Sequence, residues 1–279
     1  MDKITRRQFL KATGLAVPAA AGLPGQICAG WFPSKKSFQS VRGKITPKDA
    51  PKAPWKWSKK VIFHTPLGRD RVMCTTCPNQ CILGPGDRSV CRSRVNINGT
   101  LYSLAYGNPC AVNVDPVEKK PLFHFKPGTG VFSIACAGCS FRCLNCQNWE
   151  ISQSRPEDLR SVELFPAQVI EGAKESNSLS IAYTYSEATT FYEYMTDTAD
   201  RAKARQLSNL WISNGYINPR PLARLSTLID GANINLKAFS DSLYQRLNGG
   251  RLKPVLDTFK TLHDRGVHFE ITNLVVPGY

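Results

Sequence analysis

The chain has 279 residues, enough for one sizeable core and a smaller accessory domain, and its 36 Lys and Arg against 21 Asp and Glu give a formal net charge of +15. Residues 1–73 contain 15 of the basic and 3 of the acidic residues, whereas residues 74–279 contain 21 and 18. The positive charge therefore lies mostly before the folded part. Residues 74–279 show no basic face with interleaved aromatic residues, and this argues against a nucleic-acid partner.

Residues 1–30 are typical of a twin-arginine export signal. Arg6 and Arg7 precede Phe9 and Leu10, and a short, weakly apolar run rich in alanine follows. This run is too short for a permanent transmembrane helix. The pattern predicts export to the periplasm or another extracytoplasmic side, with an ordinary basic N-terminus and a cytoplasmic protein as the competing interpretation.

Two segments follow before the main domain. Residues 31–73 are rich in Lys and Pro and predict a basic linker. Residues 74–130 are rich in cysteine, glycine and turn residues, and Asn98-Gly99 between two short β-type runs predicts a two-residue hairpin. We therefore expect a small, cysteine-rich metal-binding module over residues 74–130.

The remaining residues, 131–279, alternate between strand and helix patterns. Strands are predicted at 131–135, 180–185, 210–213, 232–236 and 268–276, with helices near 166–175, 187–204, 219–228 and 253–264. Such alternation predicts an α/β fold of parallel strands with right-handed crossovers, either an open sheet or part of a barrel. Because no helix pattern follows the fifth strand, we expect this domain to be incomplete at its C-terminal end.

Ten cysteines are present, and the spacing of three of them indicates an iron–sulfur centre. Cys139, Cys143 and Cys146 form a CxxxCxxC run directly after the first predicted parallel strand, at the edge where such sheets place their sites. Three thiolates can ligate three irons of a [4Fe–4S] cubane and leave the fourth open. An open iron can bind S-adenosylmethionine and reduce its sulfonium, which breaks a C–S bond and yields a 5′-deoxyadenosyl radical.

Two other interpretations of this run are a zinc site completed by a distant residue and inert, buried cysteines. Cys136, just before the run, must stay out of the site for one iron to remain open, so we expect it to be a buried strand residue.

A second cysteine set precedes the main domain. It consists of Cys74, Cys77, Cys81 and Cys91, and it fits either tetrahedral zinc or an additional iron–sulfur cluster. The spacing does not choose between these two. Cys110 has no partner at motif spacing and is expected in the core.

Several motifs together resemble one enzyme family. In chain order they are CTTCPNQCILGPGDRSVCRSR, DPVEKKPLFHFKPG, GCSFRCLNCQNWEIS, YTYSEATTFYEY, SNGYINPRPL, NINLKAFSD and EITNLVVPG. They are similar to the radical S-adenosylmethionine (SAM) enzymes related to pyruvate formate-lyase activating enzyme, and most of all to the AmmeMemoRadiSam system radical SAM enzyme. The resemblance implies a partial (β/α)6 TIM-like barrel, truncated after its fifth strand, with the cluster at the mouth.

The resemblance also implies SAM-binding residues. Glu187 would hold the amino group of SAM, although a helix N-terminal acid is an alternative role. Ser213 and Asn214 would contact the ribose or the methionyl part, Lys237 the carboxylate, and Asn273 the ribose. No catalytic residue beyond the cluster ligands is assigned.

The sequence departs from the family pattern in four places. Asn235 replaces the aspartate of a DLK motif, Ala188 replaces a proline, and Leu144 replaces an aromatic residue within the cysteine motif. The sixth strand is also missing. Asn235 and the missing sixth strand affect substrate binding more than cluster binding.

The leading functional hypothesis is hydrogen abstraction from an unidentified substrate by the radical formed from SAM. The alternative is a glycyl-radical-activating enzyme of the pyruvate formate-lyase type, whose substrate is a protein. An electron donor such as flavodoxin or ferredoxin is implied in both cases. A non-catalytic iron–sulfur electron carrier and a zinc-supported binding module are the remaining classes.

Overall fold

The computed structural model describes residues 53–276, so the predicted signal and residues 31–52 of the predicted linker lie outside the described part. The strands are β1 (Lys59–Lys60), β2 (His64–Gly68), β3 (Arg71–Cys74), β4 (Ile82–Leu83), β5 (Arg94–Ile97), β6 (Thr100–Ser103), β7 (Ala111–Pro116), β8 (Gly130–Ala135), β9 (Ser180–Tyr183), β10 (Ser208–Ser213), β11 (Gly231–Leu236) and β12 (His268–Asn273). The α-helices are α1 (Trp149–Ser152), α2 (Pro166–Glu175), α3 (Tyr192–Lys203), α4 (Pro219–Leu225), α5 (Asp241–Leu243) and α6 (Leu252–Asp264). Within residues 53–276 no helix has the length and apolar character needed to cross a membrane.

Two small antiparallel sheets form the N-terminal module. One has the strand order β1-β6-β5 and the other β2-β3-β4. The predicted hairpin is confirmed, because Ile97 pairs with Thr100 across a turn in which Asn98 and Gly99 have φ angles of 48° and 78°. Such a pair of positive φ angles is what a two-residue hairpin turn requires.

The predicted linker is wrong over residues 59–73, which contain β1, β2 and most of β3. Strand β2 has the sequence HTPLG and is mostly exposed, so it shows no hydrophobic alternation. It forms because its backbone pairs with β3, opposite Cys74 at one end and Arg71 at the other. A strand held by backbone pairing at a sheet edge leaves little signal in the sequence.

The large sheet contains the five predicted parallel strands and one unpredicted neighbour. Its order is β12-β11-β10-β9-β8-β7, with parallel pairing from β8 to β12. Strand β7 pairs antiparallel with β8, Val112 lying opposite Ile134. The predicted boundary after residue 130 is therefore wrong, because β7 belongs to the large sheet and not to the cysteine-rich module.

The two faces of the large sheet differ in chemistry. On the helix-covered face, Phe132, Ile134 and Trp211 belong to the main hydrophobic core. The other face has a small apolar cluster that includes Val131 and Ala182. Because side chains alternate along a strand, Asn233 and Asn235 of β11 point to this second face. The second face is thus apolar near the start of the strands and polar towards their carboxyl ends.

The helices cover the core largely as predicted. Helix α2 begins at Pro166, and the Gln168 side chain accepts a hydrogen bond from the Phe165 backbone N–H at 2.7 Å. The helix predicted from residue 187 begins instead with a 3-10 turn, Ala188–Phe191, that leads into α3. An unpredicted π-helical turn, Tyr244–Asn248, follows α5 and reaches the cysteine loop.

Candidate active site

Three cysteines lie on one loop at the carboxyl end of β8. Cys139, Cys143 and Cys146 are all partly exposed, and none forms a disulfide. Leu144, between two of them, is 73% exposed. The loop therefore presents its thiols on an open side of the molecule, at the edge where parallel sheets bind ligands.

The loop is held by the π-helical turn Tyr244–Asn248. The backbone N–H of Arg142 donates to the Asn248 carbonyl at 2.8 Å, and that of Leu144 donates to the Leu247 carbonyl at 2.9 Å. The Asn248 amide also donates to the Cys143 sulfur at 3.2 Å. Below the loop, Phe141 is buried against Tyr216, with ring centroids 4.8 Å apart. These contacts fix the loop backbone, and the three thiols remain outside any disulfide.

The donor set suits a [4Fe–4S] cluster with one open iron. Three free thiols on one partly exposed loop can supply one sulfur to each of three irons. Burial raises the pKa of Cys139 and Cys143 above the ordinary value for a thiol. Bound iron would stabilise the thiolates that burial disfavours, since metal binding releases the thiol protons. Cys139, Cys143 and Cys146 therefore fit the cluster.

Cys136 stays out of this loop, as predicted. It is fully buried, and it lies in the main core on the same face as Phe132 and Ile134. Burial raises the pKa of its thiol well above the ordinary value. Cys110 is less enclosed than predicted, with its thiol 3.4 Å from the Ala135 carbonyl, and burial raises its pKa to about 12.

Glu187 is 2% exposed and lies beside the cysteine loop, where its charge helps to raise the pKa of Cys139. Its Oε1 accepts hydrogen bonds from the Thr189 backbone N–H at 3.0 Å and from the hydroxyls of Thr189 and Ser213, each at 2.7 Å. Its Oε2 accepts from the Asn214 backbone N–H at 2.9 Å, and from no other donor among residues 53–276. The bond from Thr189 matches the alternative role of a helix N-terminal acid. Since a carboxylate oxygen has two lone pairs, Oε2 retains one acceptor position.

The other predicted SAM contacts fall into two groups. Ser213 and Asn214 are brought to Glu187, and the Asn214 amide donates to the Ser140 hydroxyl at 3.1 Å within the cysteine loop. Lys237 lies close enough to Cys143 to lower the pKa of that thiol, although burial has the larger, opposite effect. Asn273 is exposed on the outer strand β12. The structure thus gathers four of the five predicted residues around the loop.

Asn235, which replaces the family aspartate, takes part in a hydrogen-bonded row. Its carbonyl oxygen accepts from the Lys237 ammonium at 2.9 Å, and its amide donates to the Asn233 carbonyl oxygen at 3.3 Å. The Thr272 hydroxyl donates to the same Asn233 oxygen at 3.0 Å. A carboxylate at position 235 has no proton to donate to Asn233 at neutral pH. The asparagine therefore suits the row in a way that aspartate does not.

A charged cluster that sequence reasoning missed lies on the polar face. Lys120 is 1% exposed, and its ammonium donates to Asp115 Oδ2 at 2.5 Å and to the Tyr185 hydroxyl at 3.2 Å. The Tyr185 hydroxyl also donates to Asp115, and its backbone carbonyl accepts from the Asn148 amide at 2.8 Å. Lys120 belongs to the DPVEKKPLFHFKPG motif, where it is buried against Asp115 and Tyr185. The signal for this charged cluster in the sequence was the run of charged residues in the DPVEKKP motif.

The second predicted cysteine set also comes together. Cys74, Cys77, Cys81 and Cys91 line one pocket of the N-terminal module. Burial raises the pKa of Cys77, and the neighbouring thiols Cys74, Cys91 and Cys81 raise it further. Across residues 53–276, no three His, Cys, Asp or Glu side chains converge closely enough to hold a single metal ion.

The strand order and the cysteine loop define a class of protein. Residues 133–279, just over half of the chain, match the family model described as the radical SAM superfamily. The chain belongs to this superfamily, whose members use a [4Fe–4S] cluster and SAM and cleave SAM reductively.

A curated relative is the uncharacterized protein MJ0808 of Methanocaldococcus jannaschii. It is 43% identical over 221 residues, which make up 79% of this chain and 66% of the relative. The match thus spans slightly less than two thirds of the relative's length.

Solved structures that match part of the chain include TYW1 with a lysine-pyruvate adduct bound, at 18% identity over 60% of this chain and 66% of that chain, with a TM-score of 0.40. SuiB of Streptococcus suis bound to S-adenosylmethionine matches at 16% identity over 50% of this chain and 30% of that one, with a TM-score of 0.36. QueE from Escherichia coli matches at 8% identity over 59% of this chain and 93% of that one, also with a TM-score of 0.36.

Proposed function

We propose that Cys139, Cys143 and Cys146 hold the [4Fe–4S] cluster, and that the enzyme uses the resulting radical to abstract hydrogen from its substrate. When bound, the cluster supplies the electron that splits SAM into methionine and a 5′-deoxyadenosyl radical. The observation that carries the proposal is the partly exposed three-cysteine loop at the carboxyl end of β8, within the region that matches the superfamily.

Different residues around the loop would bind different parts of SAM. The open lone pair of Glu187 Oε2 would accept a hydrogen bond from the SAM ammonium group. The Lys237 ammonium would pair with the SAM carboxylate, and Asn235 holds that ammonium in place. Ser213 keeps Glu187 oriented through its hydroxyl. Asn214 would contact the ribose or the methionyl part, and Asn273 remains a candidate for the ribose.

The target of the radical has two candidate classes. The motifs favour the AmmeMemoRadiSam branch, for which we leave the substrate unidentified. The alternative is a glycine of a partner protein, as for the activating enzymes. Exposed apolar side chains in the segments after β8 and β11 support a protein substrate, because such side chains are common at protein interfaces. They are Leu144 at 73%, Trp149 at 61% and Phe239 at 82% exposure.

The electron would come from a donor such as flavodoxin or ferredoxin. Export through a twin-arginine signal and cytoplasmic action remain competing proposals, because the signal lies outside the described residues. Expressing the full chain with and without residues 1–30 and assaying cell fractions would separate them.

The cleavage of SAM is tested with reconstituted enzyme, SAM and dithionite under anaerobic conditions. We expect 5′-deoxyadenosine from the wild type and none above background from Cys143→Ala. Cys110→Ala is the matched control, because Cys110 lies outside the loop and forms no disulfide. Equal product from the wild type and Cys143→Ala would contradict the assignment of the cluster ligands.

A further inference from the structure

We propose that Cys74, Cys77, Cys81 and Cys91 hold a second iron–sulfur cluster, fully ligated by protein and set against the loop of the first. This goes beyond the proposed function, since SAM cleavage needs only the three-cysteine loop. All four thiols are free, and they line one pocket together with Arg94, Ser140 and Thr189. Four soft donors around one pocket are a ligand set for a thiolate-bound metal centre.

The backbone brings the four cysteines to the pocket through tight turns. Cys74 ends β3, and its backbone N–H donates to the Cys81 carbonyl at 2.9 Å. Within this turn the Gln80 N–H donates to the Cys77 carbonyl at 3.2 Å, and Gln80 has a φ of 44°. Cys91 comes from a separate turn just before β5. Non-glycine residues rarely adopt positive φ, so the turn is held in a conformation that groups the cysteines.

The pocket is built to stabilise negative charge on sulfur. The Arg94 guanidinium is 1% exposed and donates to the Cys74 sulfur at 3.5 Å. The Ser89 and Ser93 hydroxyls lie 3.0 and 3.4 Å from the Cys91 sulfur. A buried cation and two hydroxyls beside the thiols complement thiolates that carry metal, while Arg94 is also paired with Glu193 and the Ser93 hydroxyl also donates to the Thr190 carbonyl.

The position of the pocket, and not its set of ligands, favours a cluster over one zinc ion. Tetrahedral zinc with bonds of about 2.3 Å draws its four sulfurs to within roughly 3.8 Å of one another. Cluster ligands bind different irons and stand farther apart. The four thiols suit either centre, but their pocket contacts the loop of the first cluster through the hydrogen bond from Asn79 to Ser140, and zinc has no redox chemistry to share with that cluster.

The second site touches the first through a thin layer of residues. The Asn79 amide donates to the Ser140 carbonyl at 2.8 Å, inside the three-cysteine loop. A Cβ added at Gly138 would lie 2.4 Å from the Cys91 carbonyl oxygen, so the two backbones are in close contact. The second cluster would therefore sit beside the first and hold the module against its loop.

The test is the metal content of the full chain, reconstituted anaerobically with iron and sulfide. We expect about eight irons and eight sulfides per wild-type chain, and about four of each in Cys77→Ala/Cys81→Ala and in Cys143→Ala. Cys110→Ala should retain about eight. The double variant should still cleave SAM, which separates this proposal from the function of the first loop.

Two results would overturn the proposal. One is a wild-type chain with about four irons and one zinc, which would make the second site a structural zinc site. The other is an iron content that Cys77→Ala/Cys81→Ala leaves unchanged. Mössbauer spectra of the wild type count the clusters without any variant, so a misfolded double variant does not leave the question open.

Discussion

The two cysteine sites differ in the number of thiols and in what surrounds them. The three-cysteine loop has partly exposed thiols, with Leu144 exposed beside them. In the four-cysteine pocket, Cys74 and Cys91 are buried, Cys77 and Cys81 are partly exposed, and polar groups that include Arg94 point at the sulfurs. One chain thus presents an open site in direct contact with a more enclosed site, called the closed site below.

This difference shows that the number of protein ligands at a site is related to how far the site is enclosed. A cluster with three protein ligands is useful for binding SAM only if its fourth iron faces an accessible side, which the loop after β8 provides. A centre with four ligands needs no access, so it can be enclosed and can serve packing or electron transfer. The four predictions below test one part of this contrast each.

The largest effect is expected from Arg94→Met, which tests the closed site. Arg94 donates to Glu193 at 3.1 Å, and both side chains are almost fully buried. Removing one partner leaves a buried charge uncompensated, at a cost of about 3–5 kcal/mol in the free energy of unfolding. Urea denaturation measures this, with the exposed Arg71→Met on β3 as the control. Equal stability of the two variants would show that the pocket does not depend on the buried pair.

The next effect concerns the junction of the two sites. Gly138 has a φ of 106°, and an added Cβ would meet the Cys91 carbonyl at 2.4 Å. Gly138→Ala should lower the free energy of unfolding by about 1–3 kcal/mol through backbone strain, and further through this clash. The control is Gly128→Ala, where φ is +77° and no atom lies within 4 Å of the added Cβ. If both variants lose the same amount, the close approach of the two backbones is wrong.

A smaller effect tests the open site. Glu187→Gln keeps the shape of the side chain but removes the charge that would attract the SAM ammonium group. Loss of a charge-assisted hydrogen bond of about 1.5–3 kcal/mol should raise KM for SAM roughly tenfold or more. KM and kcat are measured from 5′-deoxyadenosine formation, with the exposed Glu150→Gln as the control. An unchanged KM with reduced stability would assign Glu187 to helix capping alone.

The smallest effect concerns the charged cluster on the polar face. Burial alone would raise the pKa of Asp115, but hydrogen bonds from Lys119, Lys120 and Tyr185 outweigh it and hold the pKa below its ordinary value. A depressed pKa contributes stability above about pH 4 that is lost as the pH falls through the folded-state value.

Tyr185→Phe should remove about 1 kcal/mol at pH 7 and less below about pH 3. Denaturation at several pH values measures this difference, and a constant difference at all pH values would contradict the role of Asp115.

Local patterns in the sequence predicted the elements that depend on neighbouring residues. The Asn98-Gly99 hairpin and the five parallel strands follow from turn chemistry and hydrophobic periodicity. The pairing of β7 with β8 was missed, because the choice of neighbour depends on tertiary packing and leaves no local signal.

The cysteine sites were predicted by spacing, whereas their surroundings were not. Arg94 and Lys120 are charged residues that a sequence pattern places at the surface. Each is paired with a carboxylate, Arg94 with Glu193 from 99 positions along the chain and Lys120 with Asp115 from 5 positions. Asn248 reaches Cys143 from 105 positions further along the chain. Such partners become visible only when the fold brings them together.

The most direct test of the contrast is the EPR spectrum of the dithionite-reduced protein with and without SAM. We predict that the cluster signal of Cys77→Ala/Cys81→Ala changes on addition of SAM, because the open site remains. In Cys143→Ala we predict no signal that responds to SAM. A SAM-responsive signal that persists in Cys143→Ala and disappears in Cys77→Ala/Cys81→Ala would contradict the assignment of the open site to the three-cysteine loop.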